Sequence, residues 1–342
     1  MRSGDVKPYI TIGIASYNYS RCLKRAFDAI KGQSFKNIEI LYADDGSTDD
    51  SVEVIQGFIR NNPDMNIRLI AGDNVGVQGN KNRIIENAHG KYIMFCDADD
   101  WLTEHGLDYL AKKAIETDAD EVVGAFQNVD ENGNVLQLQL LGEKPSKWTK
   151  TVLHASLYKK EILDRYHIRF PLDHFPEDIF LNMAFHDKCG KVVFVNRPIY
   201  NWYMHIDSTA GRGKGRDRWH GDPKLHDLLF AVKRIYKNYS GKEAEEIEYT
   251  AIKEYGGCVL DRSSDIDFKQ YYEEYVRMHR RMKKAFPEYD RNSLARSVSG
   301  KKYVRRKAAF IIFVLIKLEK LRLMRLFLWG YWKLTKKVNV IA

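Results

Sequence analysis

The chain predicts an α/β fold: a mostly parallel central sheet followed by a smaller helical C-terminal region. Three observations carry this expectation. From Tyr9 to Phe126, short apolar runs alternate with stretches of helical spacing, the rhythm of parallel strands joined by right-handed crossovers. Acidic, Asn and Gly clusters follow the early apolar runs, where open α/β sheets place their ligands. From about Pro223 onward, helical spacing takes over.

The elements follow in order. Tyr9–Ala15 is a short β-branched strand. Ser20 is placed to cap a helix whose inward face is Leu23, Ala26, Phe27 and Ile30, stopped by Gly32. Ile38–Ala43 is a second strand, and Val52, Ile55 and Ile59 face inward on the helix after it. Ile67–Ala71 is a third strand. A turn-rich link, Asn74–Gly79, leads to a helix over Asn80–Ala88 that Gly90 ends. Tyr92–Cys96 is apolar throughout, as a strand covered on both faces must be. A helix then runs from after Trp101 to Thr117, and Glu121–Phe126 is a strand with a hairpin turn at Asn132-Gly133. Leu153–Tyr166 reads as helical. Glu177 and Asp178 open a helix that Gly190 closes, Val192–Val195 is a strand, and Pro198–His205 follows it. The expected divisions are an α/β domain at 1–220, a helical region at 221–300 and a basic tail at 301–342.

Composition narrows the class. Hydrophobic residues at 44% and charged residues at 30% suit a packed core and argue against disorder. The net charge of +9 favours phosphate-bearing ligands or an anionic surface. Cys22, Cys96, Cys189 and Cys258 stand far apart, with neither zinc-ligand spacing nor a disulfide framework. The N-terminal stretch lacks the apolar run of a signal peptide, and no apolar run reaches the ~18 residues of a spanning helix.

The chemistry concentrates at Asp97-Ala98-Asp99-Asp100, after the Tyr92–Cys96 strand. Side chains two apart on a strand point the same way, so Asp97 and Asp99 are expected to share one crevice. Two adjacent carboxylates repel unless a cation lies between them, and all-oxygen ligands suit Mg2+ or Mn2+. Three further clusters stand at strand ends: Ser16-Tyr17-Asn18, Asp44-Asp45-Gly46-Ser47, and Asn74 to Asn82.

Taken together, ITIGIASYN, DDGSTD, NVGVQGNKN and DADD resemble the GT-A glycosyltransferases of family 2 over roughly residues 8 to 210. Ala15-Ser16 replaces the usual proline step, and Lys81 stands where arginine is common. The resemblance implies a Rossmann-like GT-A fold and a nucleotide-sugar donor, most often a UDP-sugar, lying across the strand ends. Ser16, Tyr17, Asn18 and Asn74 would line its nucleotide, with Tyr17 on the base. Asp44 or Asp45 would accept a hydrogen bond from base or ribose. Lys81 would sit near base or phosphates, and Asp97, beside Ala98, would face the ribose. Asp99 would hold the divalent ion. His205 stands where the family carries arginine, as a third ligand or a phosphate donor. Glu177-Asp178 matches the acid pair before a helix, with Asp178 as the base that deprotonates the acceptor. A single displacement at the anomeric carbon inverts its configuration.

The tail has a different character. Ala308–Ile316 is apolar, Lys301, Lys302, Arg305, Arg306 and Lys307 precede it, and Lys317, Lys320, Arg322 and Arg325 interleave with Leu and Met after it. Two readings stand: a helix lying in a membrane interface, with Trp329, Tyr331 and Trp332 as anchors, or a helix packed on the protein itself or on another copy. Arg212, Lys214, Arg216 and Arg218 form a Gly/Arg-rich loop suited to phosphate. The function expected is an inverting, metal-dependent glycosyltransferase, cytoplasmic and peripheral on the inner face of the plasma membrane. Its partners would be a nucleotide-sugar donor, a glycan or lipid-linked saccharide acceptor and an anionic membrane surface, but not nucleic acid. The alternatives are a nucleotidyltransferase and a non-catalytic nucleotide-sugar-binding module.

Overall fold

The computed structural model describes residues 7–142, 145–172, 177–204, 222–261, 266–296 and 306–339. They fall into two compact units. The first takes in residues 1–141, 152–173 and 177–213, the second residues 142–151, 174–176 and 214–342.

The first unit is built on strands β1 (Ile10–Ser16), β2 (Ile38–Asp44), β3 (Ile67–Ala71) and β4 (Tyr92–Asp97), with α1 (Ser20–Lys31), α2 (Ser51–Asn61) and α3 (Gly76–Asn87) as crossovers. It continues through β5 (Trp101–Leu102), α4 (Gly106–Thr117), β6 (Glu121–Val129), β7 (Val135–Gln139), β8 (Ser156–Lys159), α5 (Lys160–Arg165), α6 (Glu177–Lys188) and β9 (Val192–Tyr203). The sheet order is β3-β2-β1-β4-β8-β6-β9-β5, with β7 paired to β6. β1 pairs in parallel with both β2 and β4, and β2 with β3, so four strands end at one edge.

Alternating side chains divide the core between the two faces of the sheet. Ile10, Ile12, Ile14, Tyr42 and Met94 meet Leu23, Phe27 and Ile55 on one face, while Leu41, Ile93 and Phe95 meet Ile84, Ile85 and Phe185 on the other. The crossover α3 lies close over β1 because Gly13 carries no side chain: a β-carbon there would stand 2.2 Å from Ile84 Cγ2.

Four local expectations are corrected. Ser20 does not cap α1; the position before the helix is Tyr19, and its side chain makes no cap. The second strand's loop supplies the acceptors instead, Ser51 Oγ for Tyr19 N and Asp49 Oδ2 for Ser20 N. α3 starts at Gly76 rather than Asn80, because Asp45 accepts from the amides of Val75 and Gly76 and so satisfies donors a helix start leaves open. Leu153–Tyr166 is not one helix. Its middle forms β8, inserted antiparallel between β4 and β6, and only α5 is helical. Strand pairing with sequence-distant partners overrides the local spacing. Finally, Val192–Tyr203 is one strand, parallel to β6, with a register shift that takes up Asn196 and Arg197 before Pro198.

The second unit is helical: α7 (Asp222–Tyr236), α8 (Gly241–Asp261), α9 (Phe268–Ala285), α10 (Ser293–Arg296), α11 (Arg306–Lys320) and α12 (Met324–Asn339). Glu319 on α11 is gripped by the hydroxyls of Tyr255 and Tyr289. The apolar run of the tail is partly core, since Ala309, Ile312, Leu315 and Ile316 are buried, as are Met324 and Leu328. Phe310, Leu321, Leu326, Trp329 and Leu334 remain exposed. Among the described residues, no helix is long and apolar enough to cross a membrane.

Candidate active site

The carboxyl ends of β1, β2 and β4 gather the motif residues. Ser16 is buried with its hydroxyl unpartnered, and Tyr17 beside it is 45% exposed. Asn18 sits at φ 58°, a left-handed conformation that Asn tolerates. Its Oδ1 accepts from Thr48 N (2.8 Å) and Asp49 N (3.2 Å), tying the first loop to the second.

Asp44 and Asp45 are both buried, and each shapes a loop. Asp44 accepts from Ser47 N at 2.9 Å and from Ser47 Oγ at 2.5 Å, closing its own turn. Gly46 in that turn has φ +77°, where a side chain would be strained. Asp45 holds the start of α3, and Arg83 reaches it at 3.4 Å. Asn74 lies in the same turn, its Oδ1 accepting from Gly76 N at 3.3 Å.

Three consecutive side chains of α3 explain how Lys81 is aimed. Asn80 donates to Ala43 O of β2 at 2.7 Å. Asn82 pairs with the main chain of Phe170, donating to its O at 2.9 Å and accepting from its N at 2.8 Å. Between them Lys81 is buried, with Nζ 3.3 Å from Asp178 Oδ1, 3.7 Å from Glu177 Oε1 and 4.0 Å from Asp97 Oδ1. Burial alone would lower Lys81, but Asp178, Asp97 and Glu177 outweigh it and hold the ammonium above the usual lysine range.

Glu177 and Asp178 form the first turn of α6. Burial pushes both carboxyls up, and Lys81 opposes this for each. Asp178 is 29% exposed, enough for a ligand hydroxyl to reach it. Glu177 Oε2 is buried with no hydrogen-bond partner.

β4 ends at Asp97, and Ala98-Asp99 is a turn, so the strand alternation does not extend to Asp99. Asp97 is half exposed, whereas Ala98 beneath it is buried. Asp100 is buried too, accepting from Tyr200 OH and Tyr203 N, each at 2.8 Å. Tyr200 OH also accepts from Asp97 N at 3.0 Å. Burial raises the Asp100 carboxyl, and the charges of Asp99 and Asp97 raise it further. Sequence reasoning gave no role to Tyr200, Asn80, Asn82 or Phe170, because their partners lie far away in the chain; Asn80 and Asn82 fall within NVGVQGNKN, but the motif does not show what they bind.

With Asp100 committed to β9, Asp97 and Asp99 are the remaining carboxylates of this loop. Among the described residues, no group of three or more His, Cys, Asp or Glu side chains is arranged for a metal. Two hard oxygen donors suit an ion that completes its shell with phosphate oxygens and water rather than a closed protein cage. His205 and the Gly/Arg-rich loop lie outside the described residues. A cleft of about 1220 Å³ opens at the opposite ends of the strands, and several of its charged residues are already paired, among them Lys91 with Asp118 and Lys160 with Asp164.

Residues 11–200 match the domain described as Glycosyl transferase family 2. The chain belongs to this family. Its GT-A fold is shared with TarS of S. aureus, solved in complex with UDP, at a TM-score of 0.66, 15% identity and 91% coverage of both chains. A mannosyltransferase from Pyrobaculum calidifontis, solved with GDP-Man and Mn2+, aligns at a TM-score of 0.52 and 12% identity over 98% of this chain and 88% of its own. Among curated glycosyltransferases, GlyA of Streptococcus pneumoniae is 28% identical over 59% of this chain, which spans only 31% of GlyA.

Proposed function

We propose that this family 2 glycosyltransferase moves a sugar from a UDP-sugar to a hydroxyl of a cell-surface glycan or lipid-linked saccharide, with inversion. The observation that carries the reading is the Lys81 cluster, which holds the acid pair of α6 next to Asp97 at the strand ends. UDP as the nucleotide is supported by the ligand of the TarS structure. A divalent ion is supported by the Mn2+ of the mannosyltransferase and by the donor chemistry of Asp97 and Asp99.

In this reading Tyr17 lies against the base, with Ser16, Asn18 and Asn74 around it. Asp44 or Asp45 takes up base or ribose, and Asp97, over Ala98, faces the ribose. Asp99 holds Mg2+ or Mn2+, which would offset the charge that grows on the leaving diphosphate. Asp178 accepts the proton of the acceptor hydroxyl as that oxygen bonds the anomeric carbon and the bond to UDP breaks on the opposite side. Lys81 holds Asp178 in place and also pairs with Glu177, the second acid of the site. The catalytic part is residues 1–220, with 221–300 as support and 301–342 as a basic tail that rests on the cytoplasmic face of the membrane.

The test is Asp178→Asn, which keeps the shape and removes the base. Transfer is expected to fall about 10²–10⁴-fold with UDP binding retained. Wild-type turnover by this variant would remove Asp178 from the mechanism.

A further inference from the structure

The acidic loop is braced from two directions. From β9, Tyr200 and Tyr203 hold Asp97 and Asp100, as described above. From α1, Arg25 reaches across to the same loop. Its Nη2 donates to the carbonyl of Asp99 at 3.1 Å, and its Nη1 to the carbonyl of Glu131 at 3.3 Å. Its guanidinium lies 3.8 Å from the centre of the Trp101 ring and 4.5 Å from that of Tyr203. These two rings are 6.2 Å apart, so the cation touches both aromatic neighbours of the loop.

This arrangement needs a guanidinium. A flat cation can lie against two rings while its fork donates to two carbonyls, whereas an ammonium offers a point charge without a face. The charge is not spent on an acid: among the described residues, no carboxylate pairs with Arg25. The loop has reason to need such a hold. Asp97 and Asp99 place two carboxylates within three residues, with the Asp100 carboxyl beside them. A loop under that repulsion keeps one geometry only when its main chain is tied down from outside.

We propose that Arg25 is a positioning residue for sugar transfer: it holds the main chain at Asp99 and the ring of Trp101 and thereby aims the Asp99 carboxylate at the ion and diphosphate. This rests on the reading of Asp99 as the ion's ligand. Groups that orient a metal ligand without touching the metal typically change its affinity by tenfold or more when lost.

The experiment compares wild type, Arg25→Ala, Arg25→Lys and Asp99→Ala. Mn2+ binding in the presence of UDP is followed by electron paramagnetic resonance, UDP binding without metal by calorimetry, and folding by thermal melt. The expected result is an Mn2+ Kd raised about tenfold in both Arg25 variants, with metal-free UDP affinity unchanged and Arg25→Lys falling short of full rescue. Should Arg25→Ala fail to fold, Arg25→Lys decides. Wild-type Mn2+ affinity in the Arg25 variants, or equal loss of Mn2+ and UDP, overturns the positioning role. Asp99→Ala separates the two ideas. If it keeps wild-type Mn2+ affinity, the reading of Asp99 is at fault. If it loses Mn2+ while the Arg25 variants do not, only the role of Arg25 falls.

Discussion

At the scale of single residues, Lys81 decides how the acid pair behaves. Buried carboxyls disfavour ionisation, and the ammonium 3.3 Å from Asp178 works against that. A base must be ionised, so transfer should fall as pH drops through a value above the ordinary ~3.9 of aspartate. Lys81→Met removes the opposing charge, so this acid limb should move to still higher pH. A pH profile of kcat/KM checks the sign, and an unmoved limb would show that the pair does not set it. Stability follows the same linkage. Lys81 is raised in the folded state, so its contribution is complete below the unfolded lysine value of ~10.4 and is lost as pH rises through the folded one. The sequence made Lys81 legible as a site residue, through NVGVQGNKN. It did not show that its first partners would be Glu177 and Asp178, nearly a hundred positions away.

At the scale of elements, the site depends on how closely α3 lies on the sheet. Gly13 permits the contact with Ile84, and Asn80 and Asn82 fix the helix on either side of Lys81. Gly13→Ala should cost about 1–3 kcal/mol through overpacking and should lower transfer as Lys81 shifts. Chemical denaturation measures the first effect and steady-state kinetics the second. Unchanged stability would mean that α3 yields without strain. Strands β1 to β4 were readable because each is a short, mostly apolar run bounded by turn residues. β8 was not, because Ser156–Lys159 is a strand only by virtue of β4 and β6 on either side. The start of α3 was missed for a related reason, since its cap comes from Asp45 on another loop.

At the scale of the whole molecule, the tail carries the clearest test. In the tail the acid Glu319 of α11 is held by Tyr255 and Tyr289, and the exposed charged side chains Lys317 on α11, Arg322 in the turn after it, and Arg325 and Lys333 on α12 are basic. Phe310, Leu321, Leu326 and Trp329 stand exposed along the same stretch of chain. Basic and apolar groups together suit an anionic lipid surface. The chain should sediment with vesicles containing phosphatidylglycerol, less so at high salt, and Leu326→Glu with Trp329→Glu should abolish this. Equal sedimentation by the double variant would sink the membrane reading.

The sequence by itself determined the α/β rhythm, the four strand-end motifs and the family they signal, because each is written in contiguous residues with a fixed period or spacing. Tertiary structure alone decided which acids work together. It turned Asp100 inward to Tyr200 and Tyr203, set Asp45 to cap α3, and brought Lys81 to the acids of α6. It also split the tail's apolar run between core and surface. The physical reason is the same in each case. Hydrogen bonds and charge pairs act over a few ångströms of space, whatever number of residues separates the partners along the chain.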